Sequence, residues 1–315
     1  MTTAKYVYGP VCSRRLGRSL GIDLVPYKIC SYDCIYCQLG RTTELTLERR
    51  EYVSIEAILA ELHKKLRDDP SPDYITLAGS GEPTLNSGLG RLLEEIHRIT
   101  KIPVAVLTNG SLLWKPEVRQ ELMRADLVIP SLDAGDEALF RHVNRPQQDL
   151  TFEKMVDGLI EFRQEFFGPI WLEVFLLAGI TGIRYEVDKI AALVERIQPE
   201  RVQLNTVARP PAEEFAFAVP EEKLKRFAEL FSVAAEVITE TAGEEVPSLS
   251  SGPGSEDQEI LALLSRRPCP LTEIASGLRI PPNEALKRLE KLARGNMIAT
   301  LSKNGLIYYQ TVRSS

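Results

Sequence analysis

No apolar run in the 315-residue sequence approaches the ~18 residues of a membrane-spanning helix. The opening residues, Met1-Thr2-Thr3-Ala4-Lys5-Tyr6, lack the apolar stretch of a secretory signal. A cytoplasmic protein without membrane association is therefore expected. Disulfides are disfavoured too. There are five cysteines, Cys12, Cys30, Cys34, Cys37 and Cys269, an odd number with three of them inside eight residues. Such clustering reads better as a metal site. Net charge is −6, which argues against a polycation that coats nucleic acid. What remains is an ordinary globular mix, 44% hydrophobic and 26% charged, long enough to hold its core without disulfides. The length suits one large domain plus a small one, or two medium domains.

Charge is unevenly spread. Residues 257–315 hold nine of the 38 Lys/Arg and five of the 44 Asp/Glu, a net of +4, which leaves −10 for residues 1–256. An acidic body with a basic tail points to two units with different jobs. In the body, short apolar runs at 20–25, 74–78, 104–107, 127–131, 170–176 and 201–204 suit strands buried on both faces. They alternate with helix-periodic stretches at 54–67, 88–99, 116–123, 152–166 and 185–197. Ser54 reads as an N-cap with Glu56 in the first turn, and Pro116 fits a first helical turn. This alternation implies a parallel sheet with right-handed crossovers. Six units are fewer than the eight of a closed barrel. The expected architecture is α/β, a partial (β/α)6 barrel over residues 1–242.

Residues 243–256, rich in Gly, Pro and Ser, read as a linker. Beyond it, 257–266, 271–277 and 281–294 are helix-like. Residues 297–301 and 306–310 read as strands around Ser302-Lys303-Asn304-Gly305, whose Asn-Gly is a hairpin signal. Three helices and a hairpin predict a small winged helix-turn-helix domain over 257–315. Lys287, Lys291 and Arg294 share one face of its third helix, and Arg279 and Arg288 add charge. Leu286, Leu289 and Leu292 form the apolar side. Nucleic acid is the first expectation for this surface. A docked protein or peptide, or a passive face, are the alternatives.

The chemistry-bearing motif is Cys30-Ser31-Tyr32-Asp33-Cys34-Ile35-Tyr36-Cys37, a C-x3-C-x2-C loop after the first predicted strand. Ligand-binding loops of a parallel barrel gather at that end. Three thiolates can hold three irons of a [4Fe–4S] cube and leave the fourth open. Zinc is the alternative, but it usually takes four ligands in two spaced pairs. No fourth Cys lies nearby, and the three histidines are His63, His97 and His142. Further motifs follow successive predicted strands: Gly79-Ser80-Gly81-Glu82-Pro83-Thr84, Thr108-Asn109-Gly110, Ser131-Leu132-Asp133, and the run from Ala178 to Glu186. Singly they are ordinary. Asn-Gly is often a turn, Ser131 and Asp133 can be helix caps, and Glu186 can simply start a helix.

In this order the motifs resemble the radical S-adenosylmethionine (radical SAM) superfamily, over roughly residues 5–240. The resemblance implies a [4Fe–4S] cluster on Cys30, Cys34 and Cys37, with S-adenosyl-L-methionine on the fourth iron. It implies Tyr36 beside the adenine, and Gly79, Ser80, Gly81 and Glu82 around the methionyl end. Asn109, Ser131 and Asp133 would meet the ribose or carboxylate, and Ile180 belongs to an adenine-packing element ending at Glu186. Ser80 and Ala178 stand where the family has glycine. The implied activity is reductive cleavage to a 5′-deoxyadenosyl radical by an iron–sulfur oxidoreductase, fed by an electron donor such as flavodoxin or ferredoxin.

The stretches 8–21, 131–134 and 143–146 resemble a subgroup related to 4-demethylwyosine synthase, the wyosine-base tRNA enzyme. The archaeal-type synthase is described with a second cluster on three more cysteines. Only Cys12 and Cys269 remain here, so the wyosine reaction is not carried over. The substrate is left open, with RNA or a nucleotide, or a peptide, as the classes considered. Arg14, Arg15 and Arg18 form a second basic spot, read first as a solvated loop and alternatively as a site entrance that meets a phosphate or carboxylate, and Arg145, Asn205 and Arg209 lie near predicted strand ends. The alternative function is an iron–sulfur winged-helix transcriptional regulator that senses redox state or S-adenosylmethionine without turnover. Cofactor-binding elements over several strand ends favour the enzyme.

Overall fold

The computed structural model describes residues 6–68, 72–238, 256–278, 280–303 and 305–312. Its first part runs β1 (Val7–Ser13), β2 (Gly17–Asp23), β3 (Ile29–Cys30), β4 (Glu44–Leu45), α1 (Ile55–Asp68), β5 (Tyr74–Ala78), α2 (Leu89–Ile99) and β6 (Val104–Thr108). It continues through α3 (Pro116–Leu122), β7 (Leu127–Pro130), α4 (Glu137–Val143), α5 (Phe152–Glu165), β8 (Trp171–Phe175), α6 (Arg184–Ile197), β9 (Arg201–Asn205), α7 (Glu221–Ala228) and β10 (Ala235–Val237).

All six strands expected in the body form, and they pair in parallel as β2-β5-β6-β7 and β8-β9. Two isolated parallel bridges, Val128↔Ile170 and Ser131↔Glu173, join β7 to β8. The wall is thus continuous from β1, antiparallel on β2, to β10, parallel on β9. The helices cover its outside. Along β8, Leu172 and Val174 are fully buried under them, while Trp171, Glu173 and Phe175 alternate toward the lumen. Phe140, Phe162, Leu20 and Ile22 are among the largest fully buried side chains, each contributing ~1.5–3 kcal/mol. Local signals hold the helix starts. Ala57 N donates to Ser54 Oγ (3.4 Å), Leu139 N to Asp136 Oδ1 (2.9 Å) and Lys154 N to Thr151 Oγ1 (3.2 Å).

The tail runs α8 (Glu256–Leu264), β11 (Cys269–Pro270), α9 (Leu271–Leu278), α10 (Pro282–Arg294), β12 (Ile298–Lys303) and β13 (Leu306–Thr311). Its three strands make an antiparallel sheet in the order β11-β13-β12. The helix order and the hairpin are as the sequence implies, around a core that includes Ile260, Ile274, Leu289 and Ile298. Residues 243–255 of the expected linker, Arg279 and Asn304 lie outside the described residues.

The tail sits on β1, whose Val11 packs against the tail core. Polar ties reinforce that seat. Lys65 Nζ meets Glu259 (2.9 Å), Arg209 Nη2 meets Glu273 (2.7 Å), and Tyr308 Oη donates to the Ala208 carbonyl (2.9 Å). The basic face of α10 is largely committed internally: Lys291 and Arg288 both hold Asp257, at 2.7 and 3.1 Å, and Arg294 holds Glu290 (3.4 Å). Lys287 stays exposed. Among the described residues no helix is long and apolar enough to cross a membrane.

Candidate cofactor site

Cys30 ends β3, and its loop is anchored before any metal is considered. β3 pairs with β4, Thr46 N donates to the Cys30 carbonyl (3.0 Å), Ile35 N to the Val143 carbonyl (2.9 Å), and Thr42 N to Asp33 Oδ1 (2.7 Å). Cys37 N donates to the Cys34 carbonyl (3.1 Å), which turns the last two cysteines back on each other. Cys30, Cys34 and Cys37 are free thiols. Burial pushes the Cys30 thiol up to about 11, and burial with the neighbouring Cys37 and Cys30 pushes Cys34 well up. Metal ligation removes such protons outright.

Lys28, 2% exposed, faces all three. Burial works against its ammonium, but Cys37, Cys30 and Cys34 outweigh burial and raise it, with a hydrogen bond to Cys37. Among the described residues no three His, Cys, Asp or Glu side chains are grouped to hold a single metal ion. Three thiolates without a fourth ligand among the described residues, beside a buried lysine, suit an anionic iron–sulfur cube better than the zinc alternative.

The glycine loop after β5 lies against the chain that feeds the cysteines. Ser80 N donates to Asp23 Oδ1 (2.8 Å), Lys28 N to the Ser80 carbonyl (2.6 Å), and Glu82 N to the Ile29 carbonyl (3.2 Å). Such closeness requires glycine. A Cβ on Gly79 (φ +105°) would stand 1.9 Å from Asp23 Oδ1, and one on Gly81 2.0 Å from the Ile29 carbonyl oxygen. Glu82 is 1% exposed and accepts from Thr84 N (3.1 Å), Thr84 Oγ1 (2.6 Å), Thr108 Oγ1 (2.6 Å) and Asn109 N (2.7 Å). These four bonds use the acceptor sites of a carboxylate, so Glu82 braces the ends of β5 and β6. Burial pushes its carboxyl up despite them.

Asn109 Nδ2 donates to Ser31 Oγ (2.9 Å) and lies 3.6 Å from Cys30 Sγ, on the cysteine loop itself. Asp133, 3% exposed, accepts from the Tyr36 hydroxyl, from Asn144 Nδ2 (2.7 Å) and from Phe175 N (3.1 Å). Burial outweighs these bonds and pushes its carboxyl up to about 6. The Tyr36 ring stacks on Phe175, centroids 4.0 Å apart. Tyr36, Phe175 and Ile180 pack on one apolar cluster of Ile35, Val143, Leu177, Val207 and Ala216. Ser131 is half-buried beside them, at the bridge to Glu173. Glu186 opens α6 and pairs with Lys189 (2.5 Å).

The structure thus brings Cys30, Cys34, Cys37, Tyr36, Asn109, Asp133 and the glycine loop to one end of the parallel strands, with Ile180 on the apolar side. Sequence reasoning missed Lys28, Asp23 and Phe175. No motif marks them. Asn144, whose Nδ2 lies 3.6 Å from Cys34 Sγ, was visible only as part of Val143-Asn144-Arg145-Pro146. The candidate substrate contacts are engaged internally: Arg145 with Glu213 (2.5 Å), Asn205 with Glu173 (2.9 Å), and Arg209 with Gln38 and Glu273.

Comparison with known proteins agrees with this geometry. The radical SAM superfamily model matches residues 24–197. A protein of Brachyspira hyodysenteriae named GTPase Obg is 41% identical over 305 residues, 97% of this chain and 45% of that protein, so the chain spans less than half of it. A UPF0026 protein of Methanocaldococcus jannaschii is 33% identical over 311 residues, 96% of this chain and 94% of its own. Among solved structures, a radical SAM methyltransferase from Sphaerobacter thermophilus shares the fold. Its TM-score is 0.53 at 17% identity, over 70% of this chain and 65% of that one. The chain belongs to the radical SAM superfamily, enzymes that bind a [4Fe–4S] cluster and S-adenosyl-L-methionine.

Proposed function

We propose that Cys30, Cys34 and Cys37 ligate the cluster and that S-adenosyl-L-methionine lies between the glycine loop (Gly79, Ser80, Gly81, Glu82) and the wall of Tyr36, Asn109, Ser131, Asp133 and Ile180. The observation that carries this reading is three free thiols converging on one buried lysine. When bound and reduced, the cluster supplies an electron that splits the cofactor into methionine and a 5′-deoxyadenosyl radical, which removes hydrogen from the substrate. The chain supplies the setting. Lys28 offsets the negative charge of the thiolates. Gly79 and Gly81 let backbone approach the methionyl end. Asp133 and Asn144 fix the Tyr36 ring, and the apolar cluster behind it excludes water.

The tail is read as a winged helix, supported by its order α8-β11-α9-α10-β12-β13, and the chain as a relative of the wyosine-base subgroup. A low-potential protein such as flavodoxin or ferredoxin supplies the electron. The test is anaerobic reconstitution with iron and sulfide, then dithionite and S-adenosylmethionine. Formation of 5′-deoxyadenosine is expected, and Cys34→Ala should abolish both it and the visible absorbance. A protein that carries about four irons yet releases no 5′-deoxyadenosine would overturn the reading.

A further inference from the structure

The lumen holds one cation that this scheme does not use. Down the inner face of β8, Phe175 beside Tyr36 is followed by Glu173 and then Trp171. Around that wall the arginines are paired: Arg15 with Glu173 (2.5 Å), Arg201 with Glu236 (3.5 Å) and Arg209 with Glu273 (2.7 Å). Arg14, in the turn between β1 and β2, lies among them without a hydrogen bond or ion pair to any described residue. Burial is the main influence on it, nearby Arg209 and Arg15 add to that, Glu173 and Glu273 oppose it, and its guanidinium is pushed down to about 10. It therefore remains charged at neutral pH, and the described carboxylates nearest it, Glu173 and Glu273, are bonded to Arg15 and Arg209 instead. A half-buried guanidinium left without a bond among paired neighbours is free to take an anion.

Space adjoins it. Two cavities of about 200 and 260 Å³ share Arg14, Val237 and Ile238. The first is floored by Arg15, Trp171 and Arg201. The second passes Asn205 and Thr206 at the end of β9 and is lined also by Tyr308 and Leu306 of the tail. Each is below the ~300–1,000 Å³ of a drug-sized site. A guanidinium fork matches a carboxylate or a phosphate oxyanion.

We infer that Arg14 anchors the oxyanion of a small-molecule substrate seated in the lumen. The inference rests on the enzyme reading above and names its substrate class. Cavities of this size suit a small molecule better than a nucleic-acid strand.

The test uses the reconstituted full chain with S-adenosylmethionine bound, titrated with inorganic phosphate (phosphorus NMR linewidth) and with acetate (calorimetry). At least one probe should saturate, weakened about tenfold or more by Arg14→Met and partly retained by Arg14→Lys. Phosphate alone saturating assigns a phosphoryl group, and acetate alone or acetate displacing phosphate assigns a carboxylate. No saturation by either, or equal binding by Arg14→Met, overturns the inference. A folding readout adds a second arm. In anion-free buffer Arg14→Met should melt within about a degree or two of the unmodified protein, and a large drop would assign Arg14 a structural role and count against a cation kept for a ligand. Neither arm passes through cofactor cleavage, so failure of the enzyme reading shows separately, as absent 5′-deoxyadenosine.

Discussion

Arg266 reaches from the end of α8 into the barrel, where its Nε meets Asp23 Oδ2 at 2.6 Å and its guanidinium lies 4.3 Å above the Tyr8 ring. The side chains are 9% and 7% exposed. Asp23 Oδ1 meanwhile accepts from Ser80 N in the glycine loop. Removing one partner of such a buried pair leaves an uncompensated charge, which costs ~3–5 kcal/mol. Arg266→Met is therefore expected to lose about that much in denaturant unfolding, and to weaken S-adenosylmethionine binding measured by calorimetry. Burial already holds the Asp23 carboxyl above its usual range, with Arg266 pulling it down. Without Arg266 it rises further. A carboxyl raised in the folded state favours folding at low pH and loses that advantage as pH rises through its folded value. The deficit of Arg266→Met should thus shrink on acidification. The double variant Asp23→Asn with Arg266→Met should cost less than the two singles together. A loss below ~1 kcal/mol, or strict additivity, would refute the argument.

Four other outcomes are expected of the same fold. Lys28→Met should lower the cluster reduction potential by on the order of 50–100 mV, read by redox titration, and an unchanged potential would mean that Lys28 does not sense the cluster. Gly79→Ala, forced onto Asp23 at positive φ, should destabilise by ~1–3 kcal/mol and weaken cofactor binding, with near-neutral behaviour arguing against the tight seating of that loop. Burial alone would raise Glu273, but Arg209 and Arg267 outweigh it, and Asp257 is lowered chiefly by its bond to Lys291. Both therefore stabilise the tail above the usual carboxylate range and lose this as pH falls through their depressed values, so Glu273→Gln should flatten the acid limb of a melting-temperature curve. Phe162→Ala should cost ~3–5 kcal/mol in chemical unfolding, and a loss under ~1 kcal/mol would contradict its complete burial.

Most of the six parallel strands were legible because burial on both faces turns them into short apolar runs, and β8, which alternates, still carries four large apolar residues in five. β1 escaped because Gly9 and Pro10 interrupt it and its pairing with β2 slips between Tyr8 and Val11. β10 is three residues long, and α4 and α7, seven and eight residues, went unread, whereas the equally short α3 was marked by Pro116 at its start. The cysteine loop and the glycine loop could be read because each is a local run. What locks them was invisible for the opposite reason. Ser80 and Asp23 are 57 residues apart, and Arg266 and Asp23 are 243 apart. Single residues with distant partners leave no pattern. The resemblance supplied roles for Glu82 and Asn109, while the structure adds that both brace neighbouring loops.

The parallel wall does not close on itself. Its margins are β1 on one side and β10 on the other, and raw strand margins template the addition of foreign strands. The tail shields the first of them. A shortened chain that stops before α8 would accordingly bare the β1 margin, strip Asp23 of its cation and turn sticky, self-associating in solution instead of behaving as a tidy half-enzyme.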